Sequence, residues 1–223
     1  MKNWCRNITG VVLTGTMFIA TNAMASDNGG IYKVTVTNIT QGEIFTPIMV
    51  ASHKRGLKLF DLGYTASNEL EQLAEGGDTG PISTMLMNNG AYDVVTGEGV
   101  LAPGASTTIT VNAKNERGYI SVASMLVPSN DAFFALNGVR GPGKNKTRTF
   151  MVPAYDAGSE INDELCVNIP GPPFLCAGEG YNLASGEGYV YIHPGILGGG
   201  DLSPVSQAWK NPVAKVTITF VSN

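Results

Sequence analysis

Charge is scarce in this chain of 223 residues: Asp, Glu, Lys and Arg make up 14% of it, against about a quarter in an average soluble domain. Lys and Arg are scattered rather than clustered, and the formal net charge is −4. Both facts argue against a nucleic-acid partner, which needs a basic stripe, and against electrostatic attachment to an anionic lipid surface. Histidine is limited to His53 and His193, and cysteine to Cys5, Cys166 and Cys176. A zinc site needs three or four His, Cys or carboxylate ligands, which this supply barely meets. No G-x-S-x-G elbow occurs, and the Gly-rich "PGILGGGDLSP" does not stand between a strand and a helix, so a phosphate loop is not expected there. No segment approaches the roughly 20 apolar residues of a membrane helix.

The longest apolar run, Ile8 to Ala20, follows Lys2 and Arg6 and precedes "AMA" at Ala23–Ala25. This is the pattern of a secretory signal peptide over residues 1–25, cleaved before Ser26, with residues 26–223 as one exported domain. Removing Lys2 and Arg6 takes the formal charge from −4 to −6. It also removes Cys5, and in an oxidising compartment the remaining Cys166 and Cys176 are expected to pair. The loop that they close, "CVNIPGPPFLC", is short, so its entropic contribution is only about 2 to 3 kcal/mol. Periplasm and external medium are not distinguished by these features.

Apolar and polar residues alternate in "YKVTVT", with Tyr32, Val34 and Val36 on one face and Lys33, Thr35 and Thr37 on the other, the mark of a half-buried strand. The reading extends to "STTITVNA" (Ile109 and Val111 inward), "YISVASMLV", "TRTFMV", "GYVYIH" and "AKVTITFV" (Val216, Ile218 and Phe220 inward), with Gly, Pro and Asn between them. Such a series predicts an all-β fold, an antiparallel β-sandwich. One exception, "ASNELEQLAEGG", predicts a short crossover helix with Ser67 or Asn68 as N-cap and Gly76 as stop. Its acids Glu69, Glu71 and Glu75 read as solvated and dipole-complementing. The doublet "GEGY" at Gly178–Tyr181 and Gly186–Tyr189 reads as turn chemistry around a strand.

Against this sparing use of charge, "DAGSEINDE" holds Asp156, Glu160, Asp163 and Glu164 in nine residues. Acid clusters in loops are more often solvated than bound. The bound alternative is calcium, a hard cation that takes 6 to 8 oxygens from carboxylates, carbonyls and water. The segment is no EF-hand, since Gly158 stands third instead of sixth. A second loop should then contribute, and "VPSNDAFF" offers Asp131 after a strand. His53 and His193 both end apolar segments, where a histidine bonded to backbone is the ordinary reading. The competing one is an exported metal-assisted hydrolase using His53 or His193 as base, weakened because calcium acidifies water far less than zinc.

The segments "TPIMVASH", "LFDLGYTASNELEQLAEGGD", "VPSNDAFFALNG", "PAYDAGSE", "GYVYIHPGILGGGDLSP" and "WKNPVAKVTI", in that order, resemble the spondin N-terminal domain of F-spondin and mindin type. The resemblance implies a C2-like antiparallel sandwich with calcium held by loops at one end. A "PSPDW"-type loop there supplies one aspartate and a "YDAGTD"-type loop two more, which places the metal on Asp131, Asp156 and Glu160, with the backbone carbonyl of Tyr155 as a further ligand. Ala132 replaces the aromatic and Glu160 an aspartate, changing the reach of the third acid. About three carboxylates imply an extracellular-type affinity, on the order of 10⁻⁴ to 10⁻³ M. Asp163 and Glu164 are left facing water. Animal members are matrix and cell-surface proteins, so the resemblance implies a non-catalytic binding or adhesion module for an extracellular or cell-envelope protein or glycan.

Overall fold

Strand β1 (Gly30–Asn38) buries Tyr32, Val34 and Val36 completely and turns Lys33 outward. It is the second strand of a four-stranded antiparallel sheet in the order β5 (Ser106–Ala113), β1, β11 (Ala214–Ser222), β8 (Thr147–Val152). In this computed structural model, which describes residues 29–115, 117–183 and 186–222, register is set by the same alternation. Val34 lies opposite Ile109 on one side and Ile218 on the other, all facing inward. The expected signal peptide, with Cys5, lies outside the described residues.

The second sheet runs β10 (Tyr191–Ile192), β9 (Ala154–Asp156), β7 (Ala132–Arg140), β6 (Tyr119–Val127), β3 (Met49–His53), β4 (Ala91–Thr96). The short β2 (Ile44–Phe45) also pairs with β6. The continuous segment "IFTPIMVASH" is thus divided between β2 and β3 around Pro47, which has no N–H to donate to a ladder. One face of this sheet packs on the first, with Phe45, Val122, Phe134 and Val216 in the shared core. The other face carries Met49, Ala51, Ala123 and Phe133 against two helices. With both faces covered, β3 and nearly all of β6 are buried without a break, where the sequence reading of "YISVASMLV" expects alternation.

Helix α1 (Asn68–Gly76) starts where expected: the Ser67 hydroxyl accepts from the Leu70 N–H at 3.4 Å, and Gly77 closes it at φ +68°. A second helix, α2 (Gly80–Asn88), follows at once and was not expected. Its signals are weaker but present: Pro81 in the first turn and Ile82 and Leu86 buried four residues apart. The architecture is therefore a β-sandwich with a two-helix layer on one sheet, and Glu75, expected in solvent, is only 1% exposed.

Candidate metal centre

The β6–β7 loop is fixed by Ser129, whose hydroxyl donates to the Leu126 carbonyl at 2.5 Å and accepts from the Ala132 N–H at 3.2 Å. This turn delivers Asp131 to the start of β7, fully buried. Asp156 ends β9, paired with Ala132 on one side and Tyr191 on the other. Beyond it the chain reverses through Gly158, whose φ is +68° and whose Cβ, if present, would lie 2.3 Å from the Tyr189 carbonyl oxygen. Only glycine fits that approach.

The two loops are bonded to each other through the acids. Asp131 Oδ2 accepts from the Ser159 N–H at 2.9 Å, the Glu160 N–H at 3.1 Å and the Ser159 hydroxyl at 3.3 Å. Asp156 Oδ1 accepts from the Gly158 N–H at 2.7 Å, and its Oδ2 from Asn162 Nδ2 at 2.6 Å. Asp131 Oδ1 is buried and has no hydrogen-bond partner among the described residues. Burial pushes the Asp131 carboxyl well above its ordinary range, the neighbouring Asp156 adds to this, and the two N–H donors partly oppose it. Burial raises Asp156 as well, against the bonds from Asn162, Tyr191 and Gly158. Among the described residues neither aspartate pairs with a lysine or arginine.

Glu160 gives its N–H to Asp131 but turns its carboxylate elsewhere. Oε1 accepts from Asn182 Nδ2 at 2.8 Å, Oε2 is buried without a partner, and burial with Glu75 nearby pushes the group up to about 8. Ser159 lies between the two halves, bonded to Asp131 and close enough to Glu75 to oppose the rise that burial gives its pKa. Among the described residues no three His, Cys, Asp or Glu side chains converge on one point. The expected ligands thus divide: Asp131 and Asp156 are brought together, and the Glu160 carboxylate stands beside them in a second group. The Tyr155 ring packs against Phe60 and Phe133. Its carbonyl is turned toward β7 by the phase of the ladder, which the Ala157 N–H to Asp131 carbonyl bond (3.3 Å) and the His193 N–H to Ala154 carbonyl bond (3.2 Å) fix.

Asp163 and Glu164 do not simply face water. Asp163 accepts from Asn130 and Asn168 at 3.1 and 2.6 Å. Glu164 is buried, and its carboxylate accepts from the N–H groups of Leu197, Gly198 and Gly199 at 2.5, 2.6 and 2.7 Å. It therefore anchors the "GILGGGD" loop. Cys166 and Cys176 form a disulfide. The two "GEGY" copies mark close backbone approaches: a Cβ on Gly178 would meet the Cys166 carbonyl at 2.3 Å and one on Gly186 the Glu160 carbonyl at 2.4 Å.

Both histidines are bonded in the interior. His53 Nδ1 bonds the Lys54 carbonyl at 2.8 Å and Nε2 the Ser121 hydroxyl at 2.9 Å, with both side chains buried. The contact has the spacing of a nucleophile and its base, but Ser121 and His53 are both 0% exposed. His193 Nδ1 accepts from the Gly195 N–H at 2.9 Å, so the proton sits on Nε2, 3.2 Å from Asn162 Oδ1 and 3.7 Å from Asp156 Oδ2. Burial lowers it to about 4, leaving it neutral at pH 7.

The Spondin_N family model matches residues 37–161. The chain belongs to the spondin N-terminal domain family. The match spans more than half the chain, from the end of β1 through the acid turn, and stops before Asn162, Asn182, Glu187 and Tyr191. Those residues complete the surroundings of the acids and were not singled out from the sequence, and Glu75, read there as solvated, joins them. Spondin N-terminal domains are in general non-catalytic modules. Family and disulfide fit an exported protein, and among the described residues no helix is long and apolar enough to cross a membrane. No curated protein matches the chain.

Proposed function

We propose that this spondin domain is an exported, calcium-stabilised, non-catalytic binding or adhesion module, with its calcium at the Asp131–Asp156 pair and Glu160 on the same turn. One observation carries the reading: two fully buried aspartates from separate segments, with the charge of Asp156 adding to the cost of ionising Asp131, and a buried Asp131 oxygen that has no hydrogen-bond partner among the described residues. A buried carboxylate without a compensating cation or hydrogen bond is expensive. The donors present are all oxygen, which suits a hard cation and not zinc or copper. Asp131 and Asp156 would hold the ion directly, and the ion would supply the positive charge that ties the β6–β7 loop to the turn after β9.

The partner is an extracellular or cell-envelope protein or glycan, met by loops that a rigid sandwich presents at one end. The test is a melting curve of the purified exported chain, stripped with chelator and then returned to millimolar calcium. Calcium should raise the melting temperature of the unmodified chain and leave Asp156→Asn unmoved. Equal responses in the two proteins would remove the Asp131–Asp156 pair as the site.

A further inference from the structure

Lys and Arg are scattered along the sequence, but the fold gathers them. Strand β6 leads to the Asp131 loop from the opposite end of the sandwich, and at that opposite end β3, β5 and β7 finish and β8 begins. The pairing fixes this: Tyr119 lies opposite both His53 and Arg140, Gly30 opposite Ala113, and Thr147 opposite Thr219. With Lys2 and Arg6 set aside the chain has twelve Lys and Arg, and nine of them lie here, three in 54–58, two in 114–118 and four in 140–148. All nine are exposed. Residues 149–209, which carry the acid turn and its surroundings, have neither Lys nor Arg. At the basic end Asp61 is bonded to Lys58 and Asp93 to Asn112. Even with Asp27 and Glu116 counted there, both outside the described residues, nine cations face four acids in a chain that is negative as a whole.

The cations stand on bonded backbone. The Gly118 N–H donates to the buried Tyr32 hydroxyl at 2.8 Å, the Gly141 N–H to the Gly118 carbonyl at 2.6 Å and the Arg117 N–H to the Pro142 carbonyl at 3.3 Å. These bonds hold 114–118 against 140–148, so little ordering remains to be done when a ligand arrives. The Arg148 guanidinium donates to the Arg140 carbonyl at 2.5 Å and lies 4.8 Å from the centre of the Phe150 ring. Among the described residues no large apolar side chain of the three segments is exposed, so nothing there would enter a bilayer. Tyr92, beside the cluster, lies under Lys114 Nζ at 5.6 Å and offers no open ring for a base to stack on. The cluster instead continues onto the hydroxyl face of the four-stranded sheet, where Lys33 lies between Thr110 and Thr219, and Thr219 bonds Thr147 at 3.0 Å.

We propose that this end binds a polyanionic glycan, a sugar chain with repeated sulfate, phosphate or carboxylate groups, across segments 54–58, 114–118 and 140–148. Exposed cations on three neighbouring segments suit a ligand whose charges recur along a chain, because each contact alone is weak and screened. The threonine hydroxyls beside them suit the sugar hydroxyls between those charges. The inference rests on the reading of this domain as an exported binding module and names its partner class, but it uses no residue of the calcium centre.

Calorimetric titration of a heparin oligosaccharide into the exported chain, in chelator, tests it. One variant combines Arg55→Gln, Lys114→Gln and Lys146→Gln, one charge from each segment. The other combines Lys210→Gln and Lys215→Gln, away from the cluster, and all five positions are exposed. Heparin should bind the unmodified chain and weaken as salt is raised, while uncharged dextran gives no heat. The triple variant should lose affinity by about tenfold or more, at several-fold per cation on an anionic surface, and the double variant should bind as before. No heat with heparin would overturn the inference, and so would equal losses in the two variants, which would make the binding a matter of overall charge. Tighter binding to a single-stranded oligonucleotide or to phosphatidylglycerol vesicles than to heparin would overturn the glycan assignment. Sedimentation of the unmodified chain as oligomers that the triple variant dissociates would overturn it too, since the acid end of a second copy would then fill the basic end. None of these variants touches Asp131 or Asp156, so a failure here leaves the calcium response of Asp156→Asn to be judged by its own melting curve.

Discussion

Asp131→Asn should change the sign of its effect with calcium. In the metal-free protein at neutral pH, Asp131 is a buried acid with one oxygen serving two N–H groups and the other serving none. An unsatisfied buried oxygen costs on the order of 1 to 3 kcal/mol. Asparagine keeps an acceptor for the Ser159 and Glu160 N–H groups and places an NH₂ where the orphan oxygen was, in the field of Asp156. Bonds to a neutral acceptor are roughly half as strong as bonds to a charged one, which returns part of the gain. The balance is a variant about 1 kcal/mol more stable than the unmodified chain in chelator. With about 2 mM calcium and a dissociation constant of 10⁻⁴ to 10⁻³ M, mass action gives the unmodified chain about 0.7 to 1.8 kcal/mol from this site and the variant nothing. The advantage of the variant should shrink or reverse. Urea denaturation in EDTA and in calcium measures both differences. A variant destabilised by the same amount in the two buffers would refute the reasoning and reduce Asp131 to a cap for the Ser159–Glu160 turn.

Three further outcomes follow from the same structure. Glu164→Gln should cost about 2 kcal/mol in urea denaturation, because three backbone N–H groups of the 197–199 loop lose a charged acceptor. Glu43 is buried with neither carboxylate oxygen bonded, and burial raises its pKa well above the ordinary value. Its contribution is therefore fully present below the unfolded pKa, about 4.3, and is lost as pH rises through the folded value. Glu43→Gln should remove this dependence, so that the melting temperatures of the two proteins diverge in favour of the variant as pH rises from 4 to 7. Gly158→Ala should cost roughly 2 to 3 kcal/mol through its left-handed backbone, with the Tyr189 carbonyl in the way, and should abolish the calcium response.

What the sequence discloses is whatever its own spacing encodes. The strands with one wet face, β1, β5 and β11, alternate in sequence and are buried as read, down to Val216, Ile218 and Phe220. The strands with two covered faces lose that alternation, and the helix layer that covers them includes α2, whose Pro81 and Ile82–Leu86 spacing is too brief to impose a period. Asp131 and Asp156 stand out in the sequence because each is an acid at a strand end, Asp131 immediately before β7 and Asp156 the last residue of β9. Glu164 was not, because the N–H groups that hold it come from residues 197–199, more than thirty positions away. Glu75 was misplaced for a related reason. An acid near a helix end reads as solvated until the turn carrying Ser159 is known to close over it.

The acids of the loop end are met differently from the polar groups of the sheet surface. On the outer face of the four-stranded sheet, hydroxyls answer one another across the strands, Thr35 with Thr108 at 2.8 Å and Thr149 with Thr217 at 3.1 Å. Glu43 is buried and unbonded, but burial is the sole cause of its shift, and a single proton neutralises it. At the loop end Glu164 is met by three backbone N–H groups, and Glu75, Asp131 and Asp156 by one or two each, yet Glu75, Asp131, Asp156 and Glu160 are all buried with the charge of neighbouring acids adding to the cost of ionising them. Burial and like charge favour protons on these groups in the metal-free chain, and on the calcium reading proposed above a divalent cation would compete with those protons and discharge the Asp131–Asp156 pair together. On that reading, a fold that uses charge so sparingly elsewhere gathers these acids in its interior for a cation to join.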